Sequence, residues 1–197
     1  MSLNSRNYSQ EVVDHVWIDA GAVYINTKFE DGAFTTGEKL GATEGGNEFT
    51  LNAEIRHIAV DGVKGSAVGH NVIESVQPVL KVNLKEITAR NLAMAIAGSE
   101  VDSTNEAYDI ISGTDFIKLE EYVSNIALVG RIGTGGTRRD GIIVLENVLQ
   151  KEPVAIKTSD KGEVVMTLTF EAHYTADHIN TGRHPYKIYY PKEVTTV

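Results

Sequence analysis

Phe49-Thr50-Leu51-Asn52-Ala53-Glu54-Ile55-Arg56 alternates apolar and polar side chains at every step. A period of two puts one set on each face of an extended backbone, so this segment reads as a half-buried β-strand. The alternation slips at Ile58 and Val60, which predicts a bulge or a strand end near His57. Asp61-Gly62 is a turn signal, and Gly62, Gly65 and Gly69 make the following segment a loop. A second strand runs from about Val72 to Lys85, with Val76, Pro78, Leu80, Val82 and Leu84 on one face. Pro78 has no N–H to donate to a ladder, which predicts a sheet edge or a bulge there.

Working outward toward the N-terminus, Ala22-Val23-Tyr24-Ile25-Asn26 reads as a short strand. Thr27 to Gly46 is polar and spaced with glycine, and is expected to be a loop. Connections this long in compact domains are usually functional or disordered. No nucleophile, metal cluster or phosphate cradle lies on it, which points to contact with copies of the same chain. Residues 1–15 are polar with little periodicity and read as an arm that orders only against something else. Residues 16–197 are expected to form a single domain.

Toward the C-terminus, Thr88 to Ala97 is the one predicted helix. Thr88 is placed to cap its start, Gly98 to cap its end, and Leu92 and Ile96 form one apolar stripe. Residues 116–132 read as strand, Gly130–Gly141 as a loop with five glycines and three arginines, and Ile142–Leu149 as strand. Val164 to Tyr174 is the cleanest alternation in the chain and predicts a long strand; Tyr186–Tyr190 is a last short one. The sum is a mainly β chain with antiparallel strands and one helix, hence a sandwich or barrel.

Composition narrows the function. The chain has 197 residues, 42% hydrophobic, enough for one core. Its 18 basic and 27 acidic residues leave a net charge of −9, which argues against tight nucleic-acid binding. With no cysteine, disulfides, thiolate metal sites and cysteine nucleophiles are excluded. No stretch approaches the length of an apolar membrane span, and the N-terminus carries no secretion signal.

The candidate motifs for chemistry are weak. Gly130-Arg131-Ile132-Gly133-Thr134-Gly135-Gly136-Thr137 resembles a phosphate loop, but Gly136 stands where the lysine belongs. Arg131, Arg138 and Arg139 are better read as interface arginines facing carboxylates of a neighbouring subunit. His173, His178 and His184 have spacings that match no zinc pattern, although Asp177 lies near. No Gly-x-Ser-x-Gly elbow occurs, and adjacent carboxylates such as Glu120-Glu121 would point to opposite sides of a strand. The chain is therefore expected to be neither an enzyme nor a cofactor binder. A metal-dependent hydrolase built on the histidines and a carbohydrate-binding β-sandwich around Trp17 are the competing readings.

One resemblance is specific. Gly21-Ala22-Val23-Tyr24, Leu40-Gly41-Ala42-Thr43-Glu44-Gly45-Gly46-Asn47-Glu48-Phe49, Glu54-Ile55-Arg56 and Val60-Asp61-Gly62-Val63-Lys64-Gly65 together resemble the major tail tube proteins of long-tailed bacteriophages. The Val72–Gly98 segment looks similar as well; the remainder agrees only in being β-rich. The resemblance implies a β-sandwich with a flanking helix that assembles into hexameric rings. The rings would stack into a tube through which double-stranded DNA passes without specific binding.

It implies a virion protein made in the bacterial cytoplasm, with a tape measure protein and tail terminator and tip proteins as further partners. A tube protein of a phage-tail-like bacteriocin or injection device is the nearest alternative. Carried over, the Thr27–Gly46 loop would bridge subunits through Phe29, Phe34 and Leu40 as apolar anchors and Lys28, Glu30, Asp31 and Lys39 as charges. Deleting that loop would then leave a folded monomer. Glu48, Glu54, Glu74 and Glu171 are the candidate acids for the bore, where they would repel the DNA backbone.

Overall fold

The structure is a computed structural model that describes residues 12–30, 33–35, 37–133, 139–156, 158, 160 and 162–192. A short helix α1 (Val12–His15) leads into β1 (Trp17–Ile25). Three short strands follow: β2 (Lys28–Glu30), β3 (Ala33–Thr35) and β4 (Glu38–Lys39). The long pair β5 (Thr43–His57) and β6 (Asn71–Leu84) comes next, then helix α2 (Ala89–Ala95). A small hairpin, β7 (Ser99–Asp102) and β8 (Ile110–Gly113), and a 3-10 turn at Leu119–Glu121 precede β9 (Val123–Ile132) and β10 (Arg139–Gln150). β11 (Met166–Ala172), α3 (Ala176–Thr181) and β12 (Tyr186–Tyr189) complete the chain.

The main sheet has the order β4-β1-β9-β10-β11-β6-β5, with β12 paired to β10, and every pairing is antiparallel. It curls back on itself. The Asn47 side-chain amide on β5 donates to the Ala20 and Gly21 carbonyls of β1 at 3.0 and 3.3 Å. The core lies inside this curl. Phe49, Leu80 and Phe170 are consecutive partners across β5, β6 and β11, and Leu80 and Phe170 are buried with Val82, Leu84, Ile126, Leu145 and Leu168. Apolar burial of this kind supplies most of the driving force for folding.

Strand directions define two ends. The C-termini of β1, β6 and β10 and the N-termini of β5, β9 and β11 point to one end, where α2, the β7–β8 hairpin and the Leu119 turn connect. The opposite end holds Trp17, Ile132 and Arg139, which pair in series across β1, β9 and β10. Past that end the β5–β6 ribbon continues alone: the β11 ladder on β6 stops at Val79, whereas the β5 ladder runs on to Asn71.

Several sequence expectations are corrected. Thr27–Gly46 is not a free loop: it holds β2, β3, β4 and the start of β5. Both its ends are tied down. The Asn125 amide oxygen accepts from the Thr27 N–H and hydroxyl at 2.8 and 2.6 Å, and the Asn125 amide nitrogen donates to the Thr27 carbonyl at 2.9 Å. At the other end the buried Asn91 amide donates to the Leu40 carbonyl at 2.9 Å. Gly37 closes against β1 so tightly that a Cβ there would overlap the Ile25 carbonyl.

Pro78 sits in a strand that is interior to the sheet over the core but is flanked by β5 alone at this position, a local edge. It lies one residue past the end of the β11 ladder, so its missing N–H breaks no bond to β11. The bulge or strand end expected near His57 is a strand end, since β5 stops at His57, and a bulge also occurs earlier, between Glu54 and Ile55. The helix predicted at Thr88–Ala97 is α2, capped by the Thr88 hydroxyl accepting from the Asn91 N–H at 3.2 Å; its buried residues are Asn91 and Ala95 rather than Leu92 and Ile96. The strand expected from 116 begins at Val123, the long strand at Val164–Tyr174 shortens to seven residues, and α1 and α3 add to the one predicted helix.

Candidate assembly surfaces

The β5–β6 ribbon is built from two halves of different character. In the half over the core, Phe49 faces inward while Glu48, Thr50 and Lys81 face out. Beyond the bulge the ribbon has no strand beside it. Ile55 and Ile73 pair across it and are 66% and 60% exposed. Ile58, Val60, Val63, Val68 and Val72 around the tip are exposed as well. Scattered apolar residues on a surface need no explanation, but a contiguous cluster marks an interaction site. The tip keeps its shape through backbone bonds from Ile58 N–H to the His70 carbonyl at 2.7 Å and Val63 N–H to the Val60 carbonyl at 3.1 Å. The residues that carry this surface lie at the end of β5, in the glycine-spaced connection and at the start of β6, where the alternation read at Phe49–Arg56 has already slipped.

The predicted bridging residues are divided. Lys28, Phe29, Glu30 and Lys39 are exposed on β2 and β4. Phe29 and Phe34 face each other on the β2–β3 hairpin and both stack near Tyr189 of β12, with ring centroids 4.7 and 6.2 Å away. They are thus partly covered by their own chain. Leu40 is a correction: it is 1% exposed and belongs to the core, so it anchors the segment to its own subunit. Deleting Thr27–Gly46 would therefore remove a core side chain together with β4 and the start of β5, instead of trimming a loop. Asp31 lies outside the described residues.

Three of the four candidate acids share a face. Glu48 and Glu54 point to the outer side of β5, and Glu171 holds the equivalent side of β11, opposite Val79. Glu54 accepts from the Ser75 hydroxyl at 3.0 Å, and Glu171 is paired with Lys151. Glu48 is registered against Lys81. Glu74 sits at the bulge and pairs with Arg56. Arg131 and Arg139 stand on β9 and β10 at the arm end, where the Arg139 guanidinium donates to the Asp14 carbonyl of its own chain. Arg138 lies outside the described residues.

The histidines serve the fold. His178 is buried; its Nδ1 accepts from the Thr175 N–H at 3.1 Å, which leaves Nε2 to donate to Glu146 at 2.6 Å. Glu146 also pairs with Lys187 at 2.6 Å. Burial alone would push the Glu146 carboxyl up, but the hydrogen bonds from Lys187 and His178 outweigh it and hold it below its ordinary value. His173 Nδ1 lies 3.2 Å from the Asn147 carbonyl, and His184 Nδ1 lies 2.8 Å from the Tyr174 hydroxyl. Among the described residues no group of three or more His, Asp or Glu side chains is arranged to hold a metal ion.

A cleft of about 450 Å³ lies between α2, the end of β1 and the Leu119–Glu121 turn. Three of its four charged side chains, Glu38, Arg90 and Glu121, have partners. Arg90 pairs with Glu38, and the Glu121 carboxylate accepts from the Gly98 and Lys118 N–H groups at 2.5 and 2.8 Å. Such a cleft offers no converging unsatisfied polar groups of the kind a small-molecule site needs. Among the described residues no helix is long and apolar enough to cross a membrane.

Comparison with protein-family models gave no match, and comparison with curated proteins gave none either.

Proposed function

We propose that this chain is a structural subunit that assembles with copies of itself into stacked, hexameric rings, forming a bacteriophage tail tube. The observation that carries the reading is the free half of the β5–β6 ribbon. A projecting two-stranded arm with apolar side chains on view is an aggregation hazard unless a partner covers it. In a repeating assembly the partner is the next copy. The rims of a tube built this way would recruit the tape measure, terminator and tip proteins, and the virion would be its place of work.

Three further observations support the reading. The early sequence pattern resembles tail tube proteins over about fifty residues, in segments from Gly21 to Gly65. The outer face of β5, β6 and β11 carries Glu48, Glu54 and Glu171, which suits a wall past which DNA slides without binding. The net charge of −9 has the same sign. Among the described residues, Glu121, His178 and Glu146 are tied into caps and ion pairs.

Negative-stain electron microscopy of concentrated protein tests the proposal. The expected outcome is rings or tubes with an open centre. A protein that stays monomeric by light scattering at every concentration, with no rings on the grid, overturns it.

A further inference from the structure

We infer that the β5–β6 tip of one copy docks on the β7–β8 hairpin and the Leu119 turn of the next. This rests on the self-assembly reading and specifies its contact. The second surface is as exposed as the first. Phe116 and Leu119 are 79% and 90% exposed, and Val101, Tyr108 and Ile110 are exposed beside them. β7 and β8 pair only with each other, so this hairpin, like the arm, is covered on neither side by the main sheet.

Charge distinguishes the two surfaces. Residues 99–121 carry seven carboxylates against the single Lys118. Residues 55–73 carry Arg56 and Lys64 against Asp61, and Arg56 is already paired with Glu74 of the same ribbon, so the tip is near neutral in a chain whose overall charge is −9. Tip against tip would bring like surfaces together without electrostatic gain, and hairpin against hairpin would set carboxylates against carboxylates. Tip against hairpin joins apolar surface to apolar surface without setting carboxylates against carboxylates, and it lets Lys64 face the acidic hairpin.

Placement agrees. The tip extends from one end of the strands, and the hairpin and turn sit at the other. A contact between two different patches at opposite ends is head-to-tail, the kind that yields rings or open filaments.

The chain has no cysteine, so single thiols can be introduced without background. Val68→Cys and Tyr108→Cys or Leu119→Cys are made in separate chains, mixed under assembling conditions and joined with a short bismaleimide. Assembly is followed in parallel by light scattering. The expected result is a cross-linked dimer in mixtures of tip and hairpin variants, absent from either variant alone and lost on dilution below the assembly concentration. Assemblies that form but link only like to like, or not at all, overturn this contact and leave self-assembly standing. A mixture that never assembles overturns both.

Discussion

The two halves of the β5–β6 ribbon share strands, hydrogen-bond ladder and composition, yet they are held in place by different things. The half over the core is fixed by side chains: Phe49, Leu80 and Phe170 lie in line across three strands. The half beyond the bulge is fixed by the backbone ladder between β5 and β6 and by exposed polar pairs, Arg56 with Glu74 and His57 with Asn71, and its Ile55–Ile73 pair meets water. A period-two pattern therefore establishes a strand without saying what lies against it. The first half stabilises the subunit, whereas the second has apolar surface left over for another molecule.

That contrast makes a graded series of expectations. The largest effect belongs to the core half. Leu40→Ala should cost about 2–5 kcal/mol in denaturant unfolding, the usual range for a buried leucine. A loss near zero would put Leu40 back on the surface and restore the free-loop reading of Thr27–Gly46. Next comes the Glu146 cluster on β10. Glu146→Gln removes the charge that Lys187 and His178 face and should cost about 2 kcal/mol at neutral pH. Because the folded carboxyl is held below its ordinary value of 4.5, its contribution is present above that value and lost as the pH falls through the lower folded one. Unfolding curves of the wild type should converge on those of the variant in acid; parallel curves would refute the ion-pair account.

A smaller effect is expected at the Trp17 end of the main sheet. Gly130 lies under the Trp17 ring, and a Cβ there would overlap the indole nitrogen. Gly130→Ala should displace the ring at a cost of about 1 kcal/mol. Since Trp17 is the one tryptophan, a red shift of its emission reads the displacement directly. Smallest of all for the fold is Ile55→Ser with Ile73→Ser, expected within about 0.5 kcal/mol of wild type in dilute solution. The same double variant should abolish assembly in light scattering. Strong destabilisation of the isolated subunit would erase the distinction between the halves.

Much of the β architecture was legible because β5, β6 and β11 are long enough for alternation to be counted. The short strands were not. β2 and β3 have three residues each and β4 has two, too few to display a period, and they exist because Thr27, Gly37 and Leu40 are fastened to Asn125, β1 and α2. Those ties join positions about a hundred and about fifty apart in sequence, and local patterns carry no trace of such long-range pairing. Leu40 shows the same limit: an isolated leucine among polar residues gives no sign of whether it faces its own core. The arm was half legible. The slip at Ile58 and Val60 could be read as a bulge or a strand end, and β5 does end at His57, but nothing in it showed that the β11 ladder had already stopped at Val79, opposite Thr50. α3 and the Glu146–His178 contact were hidden for the same reason, since a histidine that caps a helix and meets a carboxylate 32 residues away looks like any other histidine.

In the proposed assembly the free ribbon would also act as a measuring rod. Each added residue pair lengthens an extended antiparallel ribbon by about 3.4 Å, and isolated two-stranded ribbons twist more strongly than strands inside a sheet. Inserting two residues into each strand would carry the tip about 7 Å farther and swing it to a new bearing. The axial rise and rotation between successive copies would then be written into the residue count of one hairpin.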